Sequence, residues 1–164
     1  MRRLNAQPIA LYDVSEIAPA ATAVVAAFAS DFEQLLDRTE LHHIGATALP
    51  FGRTKGDVDI NVRVDAARFA ALVAALEARL EIAQPENWTD GFASFNAPGY
   101  ALPLGIQLTA IGSENDYLLS LRDRMRAEPD LLRRYDEVKS RDAGDGAEAY
   151  WQAKNAFLSE VLAS

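Results

Sequence analysis

Asp57-Val58-Asp59-Ile60-Asn61-Val62-Arg63-Val64 alternates polar and β-branched residues without a break. A period of two belongs to a strand, because successive side chains leave a pleated backbone on opposite sides. Val58, Ile60, Val62 and Val64 then make an apolar face, and Asp57, Asp59, Asn61 and Arg63 a polar one. Downstream, Asp65 stands at the N-cap of a predicted helix striped by Phe69, Leu72, Val73, Leu76 and Leu80. Upstream, Gly45, Pro50, Gly52 and Gly56 mark residues 45–56 as a loop, with a short strand before it at residues 41–44. Further back, Pro19 suits the first turn of a helix with Val24, Val25, Phe28, Phe32, Leu35 and Leu36 on one face. Residues 7–12 read as an edge strand, where Pro8 is tolerated.

Towards the C-terminus, residues 91–96 and 101–111 read as strands joined by Asn96-Ala97-Pro98-Gly99, a predicted hairpin. The second strand also alternates, with Leu104, Ile106, Leu108 and Ala110 opposite Gly105, Gln107 and Thr109. From Ser113 the pattern is helical: Ser113 and Asp116 have capping-box spacing, and Leu118, Leu119, Leu121 and Met125 follow. Pro129 opens another helix with Leu131, Leu132, Tyr135 and Val138. After a break at residues 142–146, the last helix carries Tyr150, Trp151, Phe157, Leu158, Val161 and Leu162. The expected class is α/β, or α+β, in one domain over residues 1–164. A sheet core at about 7–112 is followed by a helical third at about 113–163.

Apolar residues make up 49% of the 164 and charged residues 24%, a globular rather than a disordered composition. There is no cysteine, which excludes disulfides, thiolate nucleophiles and cysteine-ligated zinc. Sixteen basic against twenty-four acidic residues leave a net charge of −8, which repels a phosphate backbone at long range. General nucleic-acid binding is therefore not expected, whereas a local basic pocket for a small phosphate ligand is compatible with it. The opening Met-Arg-Arg-Leu-Asn-Ala-Gln is short and polar for a signal peptide, and no later run is expected to reach transmembrane length. A cytoplasmic protein without a membrane partner is the expectation.

Asp57 and Asp59 carry the chemical reading. At i and i+2 of a strand their carboxylates share a face, and each disfavours ionisation of the other. A divalent cation relieves that repulsion; oxygen ligands suit Mg2+ or Mn2+, and Mg2+ commonly takes one or two carboxylates plus substrate phosphates. The alternative is an Asp-x-Asp on the solvated face of a half-buried strand. The loop favours the metal: Gly45-Ala46-Thr47 stands twelve residues before Asp57, as a Gly-Ser or Gly-Gly turn precedes the acidic strand of nucleotidyltransferases. Small residues there let the backbone approach a triphosphate.

His43-Ile44-Gly45-Ala46-Thr47-Ala48-Leu49-Pro50 resembles the His-Ile-Gly-Ser-Thr-Ala-Val-Pro signature of the GrpB-like family, also called UPF0157. Lys55 and Asp59-Ile60-x-Val62 continue the likeness. So does the order Arg122-Asp123, Pro129-x-Leu131, Tyr135, Lys139, Tyr150, Lys154, Phe157, so that the resemblance spans roughly residues 9–162. It implies a nucleotidyltransferase-like fold: a small mixed β-sheet flanked by helices, with a helical C-terminal third. It does not fix an activity. The chain departs from the family at Ala46, where serine is usual. It departs again at Asp57, where an apolar residue is frequent. Active nucleotidyltransferases add a third carboxylate from a neighbouring strand; the corresponding polar-face residue here is Gln107, where the family tends to have histidine.

Other candidates each carry two readings. His43 can bind phosphate or carry a proton, or be a hydrogen-bonded structural residue, with His42 facing away. Thr47 offers a hydroxyl in place of the missing serine. Arg53 and Lys55 can clamp phosphate or be solvated charges. Arg122, Lys139 and Lys154 can line a cleft between the sheet and the C-terminal helices or form ordinary ion pairs. Trp88 and Trp151 read as packing or rim residues rather than base-stacking platforms. Gly52-Arg-Thr-Lys-Gly56 lacks P-loop spacing, and His43-Ile-Gly-Ala46 lacks the second histidine of a class I adenylyltransferase motif.

Three functions follow. The first is a Mg2+- or Mn2+-dependent nucleotidyltransferase, binding a nucleoside triphosphate and acting on a small-molecule or protein acceptor. Asp57, Asp59 and Gln107 would be its catalytic set, with the two aspartates as metal ligands. The second is a catalytically inactive nucleotide- or partner-binding module of the same fold, and the third an interaction protein with a dimerising helical end. Monomer and homodimer both remain open.

Overall fold

The alternating residues become the central strand of a mixed sheet in a computed structural model that describes residues 8–164. In chain order the elements are strand β1 (Tyr12–Asp13), helix α1 (Val14–Asp31), β2 (Glu40–Ile44), β3 (Arg53–Thr54), β4 (Val58–Val64), α2 (Ala66–Glu77) and β5 (Glu81–Ile82). They continue with β6 (Phe92–Asn96), β7 (Leu104–Ala110), α3 (Leu118–Ala127), α4 (Pro129–Asp142) and α5 (Ala147–Ala163). The five-stranded sheet has the order β2-β4-β7-β6-β5, and β1 pairs separately with β3. β4 and β7 run parallel, with Asp59 opposite Gly105 and Asn61 opposite Gln107; the other pairs are antiparallel. The predicted hairpin is present as β6–β7.

Both faces of the sheet are covered. Val58, Ile60, Val62 and Val64 are fully buried against Ala21, Val24 and Phe28 of α1 and Phe69, Leu72 and Leu76 of α2. Leu104, Ile106 and Leu108 of β7 extend that core. A second cluster gathers Met125, Leu131, Leu132, Tyr135, Phe157 and Val161 of the C-terminal helices around Leu49 from the loop after β2. The α3–α5 bundle thus stands against the polar side of the sheet, tied down by Arg63, whose guanidinium pairs with Asp116 through two hydrogen bonds of 2.7 and 2.9 Å and also reaches Glu40.

Several local expectations are corrected. Helix α1 starts at Val14, where Asp13 caps it by accepting from the Ser15 N–H, so Pro19 lies in the second turn, not the first. Of residues 7–12 only Tyr12 joins a strand, and Gln7 lies outside the described residues. Asp57 precedes β4 rather than opening it. The Ser113–Asp116 capping box does not form: Arg63 and the Gly112 N–H take the Asp116 carboxylate, and α3 begins only at Leu118. Asp65 holds the N-cap of α2 without a side-chain bond. Finally, α1, with 18 residues, is long and apolar enough by length and composition to cross a membrane, contrary to the sequence reading; here Ala21, Val24 and Phe28 pack it on the sheet.

Candidate active site

Asp59 sits in the interior of β4 on the side away from α1, and its carboxylate is confined by two glycines. A Cβ on Gly45 would lie 2.6 Å from Asp59 Oδ2, and one on Gly105, its neighbour across the parallel ladder, 3.0 Å from Oδ1. A side chain at either position would displace the carboxylate. Gly45 also has φ 75°, a conformation that a Cβ penalises, and it turns the chain from β2 into the short helical turn Ala46–Ala48. Gln107 Nε2 stands 3.5 Å from Asp59 Oδ1. Burial, and then the charge of Asp57, raises the Asp59 carboxyl to about 6, while Lys154 and Lys55 pull the other way.

The space around this carboxylate is a cleft with two lobes, of about 500 and about 490 Å3. Both are bordered by Asp59, Gln107 and Lys154, with Gln84 and Ser94. The charged lobe adds Ala46, Lys55 and Asp57, lined also by the buried Tyr150 and by the exposed Trp151 at its rim. Lys55 Nζ lies 3.5 Å from Asp57 Oδ2 and 4.1 Å from the centre of the Trp151 ring; Lys154 Nζ lies 4.7 Å from the same ring. Burial holds the Lys154 ammonium below its ordinary range despite Asp59 and Asp57. The other lobe lies between the sheet and the helical bundle, floored by Ile44 and Leu49 and walled by α3 and α5.

The structure brings together Gly45, Ala46, Lys55, Asp57, Asp59, Gln107, Arg122 and Lys154. Arg122 lines the cleft with its guanidinium engaged by Asp123 and by the His43 carbonyl. Four candidates serve the scaffold instead. The Thr47 hydroxyl donates to the Asp57 carbonyl and pairs with His43 Nε2 at 2.8 Å, so it does not replace the missing serine. His43 is held there in its neutral form, depressed to about 4 by burial and then by Arg126 and Arg122. The exposed side chain of Arg53 does not line the cleft; its backbone N–H donates to Asp136 and its carbonyl accepts from Lys139 Nζ. Lys139, 2% exposed and pushed down to about 8 by burial, lies under the loop rather than in the cleft. Trp88 packs on Phe95 and donates to the Ala83 carbonyl, a packing role, while Trp151 is on the rim.

The helical spacing already hinted at the fate of Lys139, which follows Leu132 and Tyr135 along the apolar stripe of α4. No sequence motif marks Asp136, whose carboxylate accepts from the Arg53 N–H in β3, or Gln84 and Ser94 in the cleft. Asp57 and Asp59 fit a cation that completes its coordination with phosphates and water: Asp59 resists ionisation beside the charge of Asp57, and both border one lobe together with lysines able to meet the phosphates. Among the described residues no group of three histidine, aspartate or glutamate side chains forms, so the two acids do not make a closed protein cage.

An antiparallel β2–β4 pair, a tight glycine turn, an acidic central strand and a parallel β7 define the nucleotidyltransferase-like class of fold. A structure of Cid1, a poly(U) polymerase, in complex with its product ApU aligns over 81% of this chain and 43% of its own. The TM-score is 0.50 at 10% identity, a likeness of fold alone. The chain belongs to the GrpB family, whose model, GrpB protein, matches residues 13–164. It is similar to a UPF0157 protein of Vibrio cholerae, 28% identical over 135 residues, 78% of this chain and 68% of the relative. The crystal structure of the conserved protein GrpB from Enterococcus faecalis aligns over 93% of this chain and 99% of its own, with TM-score 0.67 and 17% identity.

Proposed function

We propose that this protein is a divalent-cation-dependent nucleotidyltransferase that uses a nucleoside triphosphate and transfers its nucleotidyl group to a hydroxyl or amine of an acceptor. The observation that carries this reading is the Asp59 carboxylate, held between Gly45 and Gly105 beside Asp57 and open to a cleft bordered by Lys55 and Lys154. Asp57 and Asp59 would hold Mg2+ or Mn2+, which when bound supplies charge neutralisation for the phosphates. Lys154, shared by both lobes, would balance charge on the triphosphate. Lys55, which lines the same lobe beside Asp57, would meet the phosphates as well. The acceptor oxygen or nitrogen attacks the α-phosphorus, the bond to the α,β-bridging oxygen breaks, and pyrophosphate leaves while the acceptor proton passes to solvent.

The test is calorimetry with Mg2+ and each of ATP, GTP, CTP and UTP. At least one binds, and Asp57→Asn combined with Asp59→Asn weakens it by at least about tenfold, or ~1.4 kcal/mol. Failure of all four to bind, or an unaltered affinity in the double variant, overturns the reading. One observation favours a second reading, a nucleotide-binding module without turnover: Gln107, a neutral amide, stands beside Asp59 where a third acid would complete the set. Nucleotide binding without pyrophosphate release supports that reading, and turnover by the unmodified protein excludes it.

A further inference from the structure

The two lobes differ in chemistry, and the lobe between sheet and bundle is not used by the proposed phosphate and metal chemistry. Its walls carry five neutral amides, Gln84, Asn87, Gln107, Asn115 and Asn155. Asn115 is partly committed to Thr89 and Gln107 to Asp59. The side chains of Gln84, Asn87 and Asn155 hydrogen-bond to no other described residue. Each carboxamide offers donors and an acceptor together, so the set addresses a ligand that also presents both. Between the amides lie apolar surfaces, Phe92 from the sheet and Leu118, Leu121 and Leu158 from the helices. The charges are few. The Arg122 guanidinium is taken by Asp123 and the His43 carbonyl, and Asp59 and Lys154 stand at the border with the other lobe. A volume of about 500 Å3 lies within the range of small-molecule sites.

We propose that this lobe is a subsite for an uncharged heteroaromatic ring with mixed hydrogen-bonding edges, of nucleobase type, whose attached group points to Asp59. A flat ring places its faces on leucine and phenylalanine side chains and its edge on the carboxamides; among the described residues a phosphate or carboxylate meets only Lys154 at the border and Arg122, already engaged by Asp123 and the His43 carbonyl. The inference rests on the proposed transfer reaction only in giving the phosphates to the charged lobe. Two sources supply such a ring: the base of the bound nucleoside triphosphate, or a separate nucleoside-like acceptor.

The experiment separates the lobes by probe. Adenosine, guanosine, cytidine and uridine are titrated by calorimetry, each without phosphate, and Mg2+–tripolyphosphate is titrated separately. At least one nucleoside binds. Asn155→Trp, a change at an exposed α5 position bordering the lobe, weakens that nucleoside by at least about tenfold and alters tripolyphosphate binding less than about twofold. Asp57→Asn does the reverse. A nucleoside that competes with its own triphosphate marks the ring as part of the donor. One that binds alongside the triphosphate marks it as part of the acceptor. If no nucleoside binds up to about 10 mM, weaker than ~3 kcal/mol of affinity, or if Asn155→Trp leaves binding unchanged, the subsite assignment is overturned. Loss of tripolyphosphate binding alone would instead remove the transfer reading and leave the ring subsite standing.

Discussion

The two faces of β4 obey the same alternation and have opposite fates. On one, Val58, Ile60, Val62 and Val64 are sealed beneath α1 and α2. On the other, Asn61 is equally buried, Arg63 is tied to Asp116, and only Asp59 meets open space. The apolar face is determined by its own residues, because any helix with a leucine stripe can cover it. The polar face is determined by what stands opposite, so the same i, i+2 pattern yields a packed amide, a structural ion pair and a cleft carboxylate within five residues. Asn61 shows the cost of the arrangement: its Nδ2 donates to the Gln107 carbonyl and Thr109 Oγ1, while its buried Oδ1 has no partner among the described residues.

The contrast is broken most severely on the sealed side. Ile60→Ala removes a wholly buried side chain at the centre of the core and is expected to cost about 2–5 kcal/mol, read from the urea unfolding midpoint. On the open side the sign reverses. Asp59→Asn is expected to stabilise the ligand-free protein by about 1–3 kcal/mol at neutral pH, measured as a rise in unfolding midpoint. The folded chain holds the Asp59 proton up to about pH 6, whereas an unfolded aspartate, with an ordinary value of 3.8, releases it at lower pH. Between those values the folded state binds more protons, so this group's contribution to stability falls as pH rises, and its cost is complete above the window. At pH 3 both forms are protonated and the advantage of asparagine should vanish; an advantage independent of pH would contradict the electrostatic origin. The smallest effect belongs to the rim. Lys55→Gln breaks a partly exposed pair with Asp57 and should change stability by less than about 1 kcal/mol. The fluorescence response of Trp151 to added Mg2+–nucleotide should be smaller in this variant than in the native chain, since the glutamine puts no ammonium against that ring.

The same asymmetry governs how much could be read from the residues alone. The strands β4 and β7, their apolar faces, the β6–β7 hairpin and the Pro129 helix start were all legible, because each announces itself through a period or a fixed backbone preference. The two-residue strands β1, β3 and β5 were not, since such pieces are defined by a partner rather than by a pattern. Asp116 has the spacing of a cap, but a guanidinium from a distant strand competes for it successfully. In the site, the strand residues Asp59 and Gln107 fell where alternation put them. Loop residues have no such rule, so Thr47 and Arg53 went to scaffold bonds while their neighbours Ala46 and Lys55 reached the cleft. The resemblance in the C-terminal third located Arg122, Lys139 and Lys154 together; only the packing separates the two that border the cleft from the one beneath it.

Gly45 and Gly105 stand at the two flanks of Asp59, and the carboxylate occupies the space that their missing side chains leave. From there it faces both lobes, which meet at Asp59, Gln107 and Lys154. Room for an acid inside the sheet is thus built from the absence of two methyl groups: bare backbone on either side seats a carboxylate where two side chains would crowd it out.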